Sequence, residues 1–245
     1  MPSTPLLLLP GLMNDERIWD PVVRAVPGGR SVTVAPTHGA DRMSALAEAV
    51  LANAPVGRFA IAGFSLGGYV ALELCRQAPE RIAGVALIDT SAQADTAEAR
   101  HNRQRMIDAL KSRSSTFDAV LSQFPPRLLH PSHASDPTLI RLLADMARSV
   151  GAEGFMRQQT AAMHREDRRD VLKTLDCPAL VVCGEQDTTT PPARSEEMAA
   201  LLPGDVELVL IPEAGHLTTL EQPAAVVAPF LRWLEKVDAA ERSAP

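Results

Sequence analysis

Apolar residues in this chain gather in short unbroken runs, and longer segments of helical spacing lie between them. The run at 6–9 is closed by Pro10 and Gly11, that at 31–35 by Pro36, and that at 58–62 by Gly63. The run at 82–88 stops at Asp89, that at 179–183 at Gly184, and that at 206–211 at Pro212. Runs of this length with turn residues behind them predict strands buried on both faces. Helical periodicity marks 43–54, 69–77, 192–202 and 223–237. Short strands alternating with helices predict a mostly parallel central sheet with helices on both faces, an α/β fold. From 92 to 174 the alternation stops. That stretch predicts helices at 96–111, 116–124, 138–150 and 155–163. The expected organisation is therefore a core of 1–91 and 175–238, an inserted helical cap of 92–174, and a flexible tail of 239–245.

Three residues with catalytic chemistry fall just past the ends of these strands. The first is Ser65, in Gly63-Phe64-Ser65-Leu66-Gly67. With 14 glycines in the chain, chance alone yields Gly-x-Ser-x-Gly in roughly one such sequence in twenty, so the motif gains its meaning from the strand before it and the helix after it. In that setting the serine sits on a sharp turn, and glycines two residues to either side let the backbones approach. The alternative is an ordinary glycine-rich turn with an N-capping serine. The second is Asp187, beyond the run at 179–183, where the carboxyl ends of parallel strands collect functional groups. Glu185 competes for the same role, and position favours Asp187. The third is His216, after the run at 206–211 and the turn Glu213-Ala214-Gly215. Of the other histidines only His38 has a comparable setting, and it precedes Ser65 without an acid in the right order. The chain order serine, acid, histidine is the one this architecture uses for a catalytic triad.

Composition narrows the classes of partner. A net charge of −6 and no basic tail exclude a general affinity for nucleic acid. The predicted cap carries 13 Lys/Arg against 10 Asp/Glu, which reads either as a solvated helical surface or as a funnel for anions. Cys75, Cys177 and Cys183 have no metal-ligand spacing and fit reduced thiols of a cytoplasmic protein. The apolar run at 6–9 is too short for a signal segment or a membrane span.

Residues 7–19, 79–82, 176–187 and 215–223, together with the serine turn, make the chain similar to the α/β-hydrolase superfamily over nearly its whole length, with the cap as the variable part. The resemblance is nearest to small cofactor-free serine esterases and carboxylesterase-like hydrolases with a helical lid. It implies an α/β-hydrolase fold and Ser65, Asp187 and His216 as nucleophile, acid and base. It also implies the backbone N–H groups of Leu66 and Leu12 as the oxyanion hole, with Met13 one residue away. One departure is Pro10, where many members have histidine before the glycine. No metal or cofactor is expected. The expected substrate is a small to medium apolar ester, met by Met13, Phe64, Trp19, Phe155, Met163, His164 and Leu217, with Met106, Phe117, Phe124 and Met156 as further wall; the Met and aromatic stripe of the cap reads equally as its packed core, and packing is the default role of Trp19. The chain is expected to act as a monomer or homodimer. Thioester, lactone or carbon–carbon cleavage, acyl transfer, a haloperoxidase-like activity, and ligand binding without turnover remain open at this point.

Overall fold

A computed structural model describes residues 3–243. Its centre is a six-stranded sheet of β1 (Leu6–Leu9), β2 (Val32–Val34), β3 (Phe59–Phe64), β4 (Ile82–Ile88), β5 (Ala179–Gly184) and β6 (Val206–Ile211). The strand order is β2-β1-β3-β4-β5-β6, and every pair is parallel. Strand side chains alternate between faces, and here both faces are covered. Leu7, Leu9, Ile61, Val85, Leu87 and Val181 point into one apolar layer. Leu6, Leu8, Ala62, Ile88, Leu180 and Val182 point into the other. This explains unbroken apolar runs in place of an apolar–polar alternation. Fully burying each such leucine or valine contributes about 1.5–3 kcal/mol.

The first layer is closed by α2 (Met43–Ala52) and α3 (Leu66–Gln77), through residues such as Leu46, Val70 and Leu74. The second is closed by α1 (Asp20–Ala25) and α11 (Pro223–Ser243), with Val22, Phe230 and Trp233 inside. Between β4 and β5 the chain forms α4 (Ala97–Lys111), α5 (Phe117–Leu121), α6 (Pro125–Leu128), α7 (Pro137–Met163) and α8 (Arg169–Leu172). Thr96, Thr116 and Asp136 cap the first, second and fourth of these by accepting backbone N–H bonds. The stretch 138–163, expected as two helices, is broken at Gly151, so α7 consists of two helical segments joined at a kink; the Gly151 φ of 73° lies in the left-handed region open to glycine. Two short helices complete the core, α9 (Pro192–Leu201) and α10 (Thr218–Glu221).

Two expectations are corrected. The last helix does not stop at Val237 but continues to Ser243, so 239–243 is helical, and 244–245 lie outside the described residues. Polar anchors hold it: Asp238 pairs with Arg30 at 2.7 Å and Glu241 with Arg58 at 3.0 Å. Trp19 lies in the core, fully buried, with its ring 6.2 Å from that of Phe230. Among the described residues no helix is long and apolar enough to cross a membrane.

Strand order reverses about β1 and β3. The crevice outside their carboxyl ends is where this kind of sheet binds ligands.

Candidate active site

Ser65 stands between β3 and α3 with φ 51° and ψ −116°, a conformation that costs energy for a residue bearing a Cβ. Its surroundings hold it there. The Ser65 N–H donates to the Ile88 carbonyl at 2.9 Å, and Thr90 Oγ1 donates to the Ser65 carbonyl at 2.7 Å. A Cβ on Gly63 would lie 2.4 Å from the Gly67 oxygen, and one on Gly67 2.1 Å from the Leu9 oxygen. Only glycine allows the turn to close this tightly.

The imidazole of His216 bridges Ser65 and Asp187. Its Nε2 is 2.8 Å from Ser65 Oγ, and its Nδ1 is 2.7 Å from Asp187 Oδ2. A carboxylate only accepts, so Nδ1 carries the hydrogen and Nε2 offers its lone pair to the serine hydroxyl. Asp187 is fixed in turn by the N–H groups of Thr189 and Thr190 at 2.7 and 2.9 Å, and by Thr190 Oγ1 at 2.8 Å. Glu185, the competing acid, is exposed. Burial alone would raise the Asp187 pKa, but the facing imidazole and the threonine donors bring it below the usual carboxylate value. Burial opposes the imidazolium of His216, and the Asp187 charge outweighs it, so the histidine pKa lies above the ordinary imidazole value. Nε2 accepts a proton only when the ring is neutral. The kcat/KM of any reaction using this base is therefore expected to fall as pH drops through a limb lying above about 6.5. A pH–rate profile on a neutral ester measures this, and a limb well below that value contradicts it.

Leu66 and Leu12 both border the space over Ser65. The N–H of Leu66, at the first position of α3, has no helical acceptor. In the loop after β1, the Met13 N–H donates to Gln158 Oε1 at 3.0 Å, whereas the Leu12 N–H has no acceptor among the described residues. Gln158, fully buried on α7, also donates from Nε2 to the Gly11 carbonyl at 3.3 Å, and Thr37 Oγ1 donates to the Pro10 carbonyl at 3.0 Å. These braces fix the loop conformation with proline at position 10.

A cavity of about 240 Å³ opens over Ser65 and His216. Met13, Phe64 and Leu217 line it as expected, with Leu12, Leu66, Met106 and Phe124. Trp19, Phe155, Met163 and His164 do not. Phe155 is fully buried against Phe117 and Phe124, Met163 is buried at the end of α7, and His164 is exposed. Sequence periodicity did not single out Tyr69, Asn102, Arg103 and Gln159, which also line it.

Two buried acids support the site from behind. Asp89 accepts from the Gly184 N–H, and from the N–H and hydroxyl of Thr218, all within 3.1 Å. Burial and the neighbouring Asp187 charge hold its pKa well above the carboxylate range. Glu221 accepts from the N–H groups of Gly215 and Leu217, which flank His216, and from that of His130 in the stretch between α6 and α7. The His216 N–H itself donates to the Leu128 carbonyl at 2.6 Å. Asp89, Cys183 and Asp187 lie close enough together to hold a metal ion, but both carboxylates already accept three or more hydrogen bonds, which leaves little capacity for one. Burial pushes all three cysteine thiols up, Cys177 to about 11, so none is an available thiolate near neutrality.

The sequence profile of the alpha/beta hydrolase fold family matches residues 27–223. A pimeloyl-[acyl-carrier protein] methyl ester esterase of Neisseria meningitidis is 32% identical over 184 residues, 72% of this chain and 70% of that protein. A thermophilic esterase from Thermogutta terrifontis superposes with a TM-score of 0.85 at 31% identity, over 96% of this chain and 91% of the other. An enol-lactonase from Burkholderia xenovorans superposes with a TM-score of 0.82 at 23% identity, over 95% and 92%, a likeness of fold.

Proposed function

Since the chain belongs to the alpha/beta hydrolase fold family, we propose that it is a serine hydrolase that cleaves carboxylic esters through an acyl-enzyme on Ser65. The observation that carries this reading is the unbroken hydrogen-bonded series Ser65–His216–Asp187 beside two N–H groups without acceptors. The relatives named esterases support the choice of bond.

Each step follows from the donors and acceptors. His216 Nε2 takes the hydroxyl proton as Ser65 Oγ attacks the ester carbonyl. Asp187 keeps the proton of the ring on Nδ1 and stabilises the imidazolium that forms. Negative charge builds on the carbonyl oxygen, and the N–H groups of Leu66 and Leu12 are the donors for it, each worth about 3–4 kcal/mol in such a hole. They sit on the rigid start of α3 and on a loop braced by Gln158, so little reorganisation accompanies charge development. His216 then returns its proton to the departing alcohol oxygen. Water enters and loses a proton to Nε2 as its oxygen attacks the acyl carbon; the acyl–Oγ bond then breaks, the acid leaves and Nε2 returns the proton to Ser65 Oγ. The largely apolar cavity is of a size for a small to medium substrate.

The test is covalent. A fluorophosphonate is expected to add one phosphonyl group per chain, on the peptide that contains Ser65. In parallel, p-nitrophenyl esters from acetate to long acyl chains are expected to give a rate optimum at short or medium length. No adduct, or an adduct on another residue, overturns the assignment of the nucleophile. An optimum at long chains overturns the size of substrate.

A further inference from the structure

Next to the catalytic cavity lies a second one, of about 170 Å³, and the two share Tyr69, Ala99, Arg103 and Thr189 in their walls. Their chemistry differs. The second is lined by the guanidinium groups of Arg103, Arg165 and Arg194 and by a single carboxylate, Asp95.

Asp95 is buried and is claimed from both sides. Arg103 donates from Nε to Oδ2 at 2.6 Å, and Arg165 donates from Nη1 to Oδ1. One negative charge is thus divided between two positive ones. Arg103 Nη1 donates to Gln159 Oε1 at 2.6 Å, while Nη2 has no partner among the described residues and is not a buried orphan. The Arg165 guanidinium lies 4.0 Å from the centre of the Tyr69 ring, a ring that is also part of the catalytic wall. Arg194 makes no ion pair within 4 Å among the described residues. Glu197, which feels the Arg194 charge, is already bound by Gln93 and Arg169. The annex therefore carries more positive charge than its own acid balances. One of its free donors, Arg103 Nη2, belongs to a residue that also lines the cavity over Ser65.

An arginine held by an acid on one edge and open on another is arranged to bind a carboxylate or phosphate, because the guanidinium fork is already oriented. Its placement beside an otherwise apolar cavity matters more. A substrate that fills both spaces has an apolar body at the serine and an anionic end one side chain away. We infer that the preferred substrates are esters bearing an anionic group, of the half-ester of a dicarboxylic acid type, with the free carboxylate received by Arg103 in the annex it forms with Arg165 and Arg194. This inference rests on the serine-hydrolase reading for its reaction and on the arginine cluster for its specificity.

The experiment compares monomethyl esters of dicarboxylic acids with neutral methyl esters of the same acyl length, such as monomethyl adipate against methyl hexanoate. Wild type, Arg103→Gln and Arg194→Gln are assayed at low and high sodium chloride. Wild type is expected to favour the half-ester in kcat/KM by about tenfold or more. Arg103→Gln is expected to abolish that preference, read as the ratio of kcat/KM on the two esters, and Arg194→Gln to reduce it. High salt is expected to shrink it. Equal rates on both esters in wild type overturn the annex and leave the serine-hydrolase reading intact. An equal loss on both esters in Arg103→Gln gives the arginine a purely structural role and also overturns it. If no ester is turned over, calorimetric titration with adipate still decides. Binding that weakens about tenfold in Arg103→Gln, or in Arg194→Gln where the first variant does not fold, supports the annex, and absence of binding to wild type refutes it.

Discussion

Ser65→Ala is expected to lower kcat/KM on every ester the protein hydrolyses by about 10⁵–10⁶, with the fold unchanged. The size of the effect follows from how the three side chains depend on one another. Without Oγ, His216 has no proton to remove and Asp187 orients a ring that serves no nucleophile, so the loss of one member is close to the loss of all three. What remains is binding and the donors of Leu66 and Leu12 acting on attack by water. The variant is also a mild one for the fold. The two bonds that hold the turn, from the Ser65 N–H to the Ile88 carbonyl and from Thr90 Oγ1 to the Ser65 carbonyl, belong to the backbone at position 65 and survive the change. An unchanged melting temperature with only the residual activity that binding and the backbone donors supply is the expected pair of results. Turnover near that of wild type in a preparation free of the wild-type protein removes Ser65 from the mechanism.

How far this site can be read from the sequence depends on the range of the interaction. Ser65, Asp187 and His216 are legible because each follows an apolar run, and parallel strands bring their carboxyl ends to one edge of the sheet whatever the helices between them do. The sheet itself is legible because Leu6–Leu9 and Ile82–Ile88 have no polar residue to expose. The supports of the site are not legible in the same way. Gln158 reaches Met13 across 145 positions of chain, and Glu221 reaches His130 across 91. No spacing rule predicts which face of the helices between β4 and β5 meets the loop after β1. The same limit applies to Trp19, Phe155 and Met163, whose apolar character fits a cavity wall and a core equally well. The core took all three. The helix beyond Val237 was missed for a local reason. Asp238, Glu241 and their neighbours are polar, and their partners Arg30 and Arg58 lie more than 180 positions away. Arg103 is one charge among many in the cap sequence, and only the folded chain sets it beside both Asp95 and the catalytic cavity.

Of the acids around the triad, Asp187, Glu185 and Asp89 give variants that are expected to separate cleanly. Asp187→Asn is expected to lower kcat by about 10⁴. The asparagine oxygen still accepts the N–H groups of Thr189 and Thr190, so the loop keeps its shape. Its amide, however, donates toward His216 Nδ1 where the carboxylate accepted. The ring then carries its hydrogen on Nε2, facing Ser65 Oγ with a donor where the reaction needs a lone pair. Glu185→Gln, at an exposed side chain, is expected to change kcat by less than about twofold. Asp89→Asn is expected to act on stability. One carboxylate oxygen receives the Gly184 N–H and the other receives the Thr218 N–H and hydroxyl. Asparagine has one acceptor oxygen, so at least one buried N–H loses its partner, at a cost of about 1–3 kcal/mol. Urea unfolding read beside kcat distinguishes the two roles. A lower midpoint with most of the kcat retained marks Asp89 as the tie between β5 and the histidine loop. A loss of kcat in Asp89→Asn as large as that in Asp187→Asn, without a change in midpoint, transfers the acid role to Asp89 and ends the assignment of Asp187.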